Sequence, residues 1–183
     1  MQTTYNFNPN VGTVGMIADM SEGTLVRSKL AQSLVPVGLL AYPGTDSEVG
    51  PSPTSASTAS ANPGQVIAWP ASVSDSPLLL WEMAGIPIYD SSRPPYDSSN
   101  NYSDQDPCPV LVRGAIWVKP EATFSDEKRN VYVRTTASGL LTTLGGFAGS
   151  SGTGLVLAAG NSLKWLSGCN ANGLAILGIN VAL

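Results

Sequence analysis

The protein contains no histidine. The commonest general acid–base side chain is therefore missing, and neither a Ser-His-Asp nor a Cys-His nucleophile can be assembled. The two cysteines, Cys108 and Cys169, form no CxxC and have no histidine to complete a zinc site. They read as two unpaired, partly buried thiols, and sequence alone does not bring them within disulfide range. Asp104 and Asp106, with Asp90 and Asp97 upstream, are oxygen donors of the kind that bind calcium. Their spacing is not that of an EF-hand loop and the closing glutamate is lacking, so they read as a solvated loop. A carboxylate pair could serve glycoside hydrolysis, but nothing sets two of them across a groove. GGFAGSSGTG, residues 145–154, has the glycine density of a phosphate loop without its lysine, the next basic residue being Lys164. It reads as a flexible loop. Asn101-Tyr102-Ser103 fits a glycosylation sequon, which matters only in a secreted eukaryotic protein. The sequence thus assigns no catalytic residue, no cofactor and no metal, and points away from an enzyme.

Composition agrees with a non-catalytic surface. Only 12% of the 183 residues are charged, about half the usual share of roughly 25%. There are 19 glycines and 14 prolines. Few charges with many turn residues predict short strands and long loops rather than helices. A surface of Ser, Thr, Asn and Gly can be buried on a partner without stripping ions of water, which is costly. The net charge is −4, and the nine basic residues form no cluster beyond Lys128-Arg129, so a phosphate-tracking nucleic-acid surface is not expected. Met1-Gln2-Thr3-Thr4 lacks the basic stretch and apolar core of a signal peptide. Residues 135–163 carry no charge at all, but glycines such as Gly139, Gly145, Gly146, Gly149, Gly152 and Gly154 break the run and Ser and Thr fill it, so no membrane span is expected either.

The strand signals come in order along the chain. They are GLLAY (residues 38–42), QVIAW (65–69), VLVRGAIWV (110–118), NVYVR (130–134), residues 154–159 and 163–166, and residues 174–183. In the last, Ala175, Leu177, Ile179, Val181 and Leu183 share one face, the mark of a strand lying on a core. LLLWEMAGIPI, residues 78–88, is apolar throughout, and Gly85-Ile86-Pro87 favours extended chain. The best helical signal, Asp19-Met20-Ser21-Glu22, is cut off at once by Gly23. Residues 46–64, rich in Ser, Thr, Pro, Ala and Gly, read as a flexible surface loop, and residues 89–107 as a second polar loop. Trp69, Trp81, Trp117 and Trp165 are spread over the strands and read as core. The sum is an all-β protein, a sandwich or barrel (jelly-roll-like or β-tulip-like) with an extended N-terminal arm and long polar loops.

That arm is FNPNVGTVGMIADMS, residues 7–21, an apolar stretch broken by Gly12 and Gly15 and preceded by Pro9. It has neither strand alternation nor a helical stripe, and is expected to fold against something else. Residues 1–30 are assigned as the arm and residues 31–183 as one β-rich domain. The contact residues expected are Phe7, Pro9, Val11, Gly12, Val14, Gly15, Met16 and Ile17. The glycines would allow close backbone approach and the apolar side chains would anchor. The alternative is that the segment is simply the first strand of its own domain.

Several stretches in order resemble the structural cement proteins of tailed bacteriophages. They are the opening from Asn8-Pro9 through Gly12 and Gly15 to Ala18-Asp19, then IPIYDSSRP (residues 86–94), VLVRGAIWV followed by VYVR, LKWLS (163–167), and NGLA leading to INV (172–181). The resemblance spans nearly the whole chain. It implies a β-rich, non-catalytic protein on the virion, bound to the outer surface of the capsid after assembly in the host bacterial cytoplasm. The implied partner is the major capsid protein, and the implied self-association is a homo-oligomer, a trimer with a dimer as the alternative. Two other classes compete. One is a virion-tip binding module using Tyr96, Tyr102 and the polar loops on a host glycan, and the other is a carbohydrate-active enzyme using Asp104 and Asp106.

Overall fold

A computed structural model describes residues 12–19, 23–32, 34–45, 61–68, 84–90, 101–127, 129–141, 143–158 and 162–180. The chain is all-β over these residues. Its strands are β1 (Ile17–Asp19), β2 (Leu25–Ala31), β3 (Ala41–Thr45), β4 (Ala61–Ala68), β5 (Ile86–Pro87), β6 (Pro107–Val118), β7 (Tyr132–Arg134), β8 (Phe147–Ala148), β9 (Leu155–Leu157), β10 (Leu163–Trp165) and β11 (Ala175–Asn180).

β6 organises the larger sheet. Its β-branched and aromatic sequence suits a strand buried on both faces, and eight of its twelve residues are buried. β11 pairs with its C-terminal half and β5 with its N-terminal half, along one edge. β1 and then β2 run antiparallel along the other, from Ile17↔Ile116 to Leu30↔Pro107. The strand order is β10-β11-β6-β2-β4-β3, and β2–β4 is its parallel pair. The alternation expected for β11 is present over its described residues, with Ala175, Leu177 and Ile179 buried and Asn180 exposed, while Val181 and Leu183 lie outside them.

The second sheet is small, with order β8-β7-β9. Its Val133 and Phe147 are fully buried in one cluster with Leu111, Ile116, Trp165 and Leu177 of the larger sheet, so the two sheets share a core. Trp165 is at its centre, with no exposure, its ring edge-on to Phe124 at 4.7 Å. Its Nε1–H donates to the Asn130 carbonyl at 3.3 Å, which satisfies the one polar atom of the indole.

Three sequence expectations change here. Residues 145–154 are not a flexible loop. Phe147 supplies a buried anchor and Gly145 (φ +75°) the turn before it, so the run forms β8 and the β8–β9 connection. The polar stretch 46–64 ends earlier than expected, because β4 starts at Ala61 and pairs with β3 across a bulge near Pro43, a residue with no N–H to give a ladder. Tyr102 is not a surface aromatic available to a glycan. It is 4% exposed, its backbone bridges Val35, and its hydroxyl donates to the Ile88 carbonyl at 2.7 Å. Residues 46–60, 78–83, 91–100, Met20 to Glu22, Trp69 and Trp81 lie outside the described residues.

Candidate partner-binding surface

Of the eight expected contact residues, Phe7, Pro9 and Val11 lie outside the described residues. The other five sit together along the C-terminal half of β6. Gly15 N–H donates to the Trp117 carbonyl at 2.8 Å, and Trp117 N–H donates to Met16 at 2.9 Å. On its other side Gly15 accepts from Tyr89 N–H at 2.8 Å. The backbone of this stretch is thus spent on the chain's own sheet.

The glycines do allow close approach, but toward the protein's own body. A Cβ on Gly12 would lie 2.5 Å from the Trp117 ring, so the chain crosses that indole face directly. Gly15 (φ +81°) and Gly38 (φ +75°) form two turns pressed against each other. A Cβ on Gly15 would meet Val37 Cγ1 at 2.0 Å, and one on Gly38 would meet Val14 Cγ1 at 2.4 Å. Only glycine combines that backbone with that spacing. Val14 and Ile17 are half-buried, and Met16, at 37% exposure, is the apolar side chain of this stretch left to solvent.

Sequence reasoning missed a second surface. Residues 138–141 form a tight hairpin in which Ser138 and Leu141 exchange two backbone hydrogen bonds of 3.0 Å. Gly139 (φ +59°) makes the turn, and Leu140 at the tip is 100% exposed. Leu141 of this hairpin and Leu157 of β9 are each 46% exposed. All three leucines fall in the charge-free run 135–163, of which the sequence reading made a strand at 154–159 but no binding surface.

Arg134 holds this sheet in place. It is buried, and its guanidinium forms a two-pronged ion pair with Glu121, with Nη2 to Oε2 at 2.7 Å. Nη1 donates to the Thr136 and Thr153 carbonyls at 3.2 and 3.1 Å. One side chain thereby ties the loop after β6 to the turn that starts β9. The hydrogen bonds that Arg134 donates to the Glu121 carboxylate raise the arginine pKa against the opposing effect of burial, so the group stays charged. On β2, burial and the charge of Arg27 lower the pKa of Lys29.

Cys108 is buried and Cys169 half-buried, and they are not joined. Cys169 Sγ accepts from Phe124 N–H at 3.3 Å. Asp106 Oδ2 accepts from Ser103 N–H at 2.9 Å and so shapes its own turn. Among the described residues no three His, Cys, Asp or Glu side chains are grouped to hold a metal, and no helix is long and apolar enough to cross a membrane.

The sequence matches the structural cement protein family (E217 gp24/Pam3 gp6) over residues 1–180. The chain belongs to that family, and is thus a capsid-associated structural protein of a phage virion. A solved structure titled "The capsid of Myoviridae Phage XM1" contains a chain of similar fold, with a TM-score of 0.62 at 16% identity, covering 93% of this chain and 91% of that one. No match was found among curated proteins.

Proposed function

We propose that the protein binds the outer surface of an icosahedral phage head, bridges neighbouring capsomers of the major capsid protein, and holds the shell closed against the pressure of packaged DNA. The family match over residues 1–180 is the observation that carries this reading. The chemistry is that of a binder. No catalytic step or cofactor is called for, and the low charge allows broad surfaces to be buried without large desolvation costs. A protein that touches two or three capsomers binds only the assembled lattice and stabilises it by mass action. Several weak contacts per copy, repeated over the head, add as linked events.

Within this proposal the N-terminal arm reaches the shell through residues 1–11, with Phe7, Pro9 and Val11 as anchors and Met16 extending the contact. Gly12, Val14, Gly15 and Ile17 support it by fixing where the arm leaves the sheet. Removing residues 1–17 would test this poorly, because that also removes the Gly15 and Met16 bonds to Trp117. The cleaner experiment removes residues 1–11 and adds the purified protein to undecorated heads. Loss of head binding with an unchanged circular dichroism spectrum is expected. Full occupancy by the truncated protein would remove the arm from the proposal.

A further inference from the structure

The two edges of the small sheet differ. At β8, Glu121 N–H donates to the Phe147 carbonyl and Leu40 N–H to the Gly145 carbonyl, each at 2.9 Å, so this edge is fastened to the rest of the protein. At β9, no further strand pairs among the described residues. The register fixes which groups face outward. Thr135 N–H bonds Gly154, and Ala158 N–H bonds Val131. With Val133 opposite Val156, residues 154, 156 and 158 turn their backbone toward β7. Leu155 and Leu157 turn theirs away. Leu155 N–H is used on Gly152 at 3.1 Å. The outward set is therefore the Leu157 N–H, the Leu157 carbonyl and the Leu155 carbonyl.

We infer that β9 is a self-association edge, pairing antiparallel with β9 of a second copy of this chain about a two-fold axis at Val156. In that register Leu157 N–H of each copy donates to the Leu155 carbonyl of the other. Both bonds form from groups already facing outward, and the Gly152 bond is kept. The four leucines then share one face of the joined sheet, which covers Leu157, now 46% exposed. Charge does not oppose this partner. The chain carries −4 overall, yet residues 135–163 contain no charged side chain, so two copies meet here without opposing like charges. The strand also lacks the lysine or proline with which edges commonly block such pairing. A two-fold contact closes on itself and yields a dimer rather than a fibre.

Sedimentation of the full chain, alongside Leu157→Pro and Leu157→Lys, tests this. Proline removes the outward N–H without breaking a hydrogen bond to β7, and lysine adds a charge to the edge. The wild type is expected to sediment as two chains, and both variants as one chain with an unchanged circular dichroism spectrum. A wild-type monomer, a wild-type trimer, or a dimer that survives both substitutions would overturn the proposal. If the variants fail to fold, hydrogen exchange on the wild type decides: exchange of the Leu157 amide should slow as protein concentration rises, and a concentration-independent rate would overturn it. Head binding is scored separately. Monomeric variants that still decorate heads leave the cement reading intact, whereas a monomeric wild type whose variants lose head binding would assign the edge to a capsid strand instead.

Discussion

Two strand edges in this molecule are treated in opposite ways. β6 is sealed along one edge by the N-terminal segment, and glycine turns at Gly15 and Gly38 interlock to hold that seal. β9 belongs to a sheet of three short strands, and among the described residues no strand pairs with its outer edge, which carries apolar side chains and no charge. The contrast separates what the fold needs from what an assembly can use. The described part of the N-terminal segment, residues 12–19, pairs with and packs on the chain's own sheet. The Ser-, Thr- and Gly-rich run 135–163 leaves Leu140, Leu141 and Leu157 exposed.

The contrast can be broken first at the shared core. Trp165→Ala removes the largest fully buried side chain beneath both sheets and should cost about 3–5 kcal/mol by urea denaturation. A much smaller loss would mean that the two sheets do not depend on a common core. Arg134→Ala separates the sheets more selectively. It strands Glu121, only 13% exposed, and should cost about 3–5 kcal/mol, whereas Arg134→Met with Glu121→Leu should recover most of that loss. A single substitution as mild as the double would show that the ion pair does not fasten β9.

How much was legible in the sequence follows from the same contrast. β6 and β11 could be read because their periodicity and β-branched content report burial directly. β8 could not, because two residues flanked by glycines carry no periodicity, and only the burial of Phe147 by distant strands makes them a strand. Tyr102 was misread because its neighbours are turn formers, while its burial depends on Val35 and Ile88, far away in sequence. Arg134 gave no signal beyond being a charge at the end of an apolar strand. The candidate surface was half visible: the N-terminal segment drew attention by composition, but its backbone partners are Trp117 and Tyr89, which no local pattern names.

Gly15→Ala probes the sealed edge. The strained φ alone should cost roughly 1–2 kcal/mol, with the clash on Val37 adding to it. Gly139→Ala at the open hairpin, where nothing lies within 4 Å, should show only the backbone cost of about 1–2 kcal/mol. Equal losses would mean that the interlocked turns contribute nothing beyond conformation. The smallest effect concerns Lys29. Its folded pKa lies below the ordinary 10.5, so the unfolded chain binds more protons in the window between the two values. Folding stability from this group should rise as pH climbs through that window toward 10.5, and Lys29→Met should flatten the rise. A stability curve of the same slope in wild type and variant would show that burial does not disfavour the charge.

The most direct test of the cement role is a cryo-electron microscopy reconstruction of heads carrying the protein. Density on the outer surface at regular lattice positions, each copy touching two or more capsomers, is the expected result. Density confined to a tail or a single vertex, or seated within one capsomer without reaching its neighbour, would contradict it.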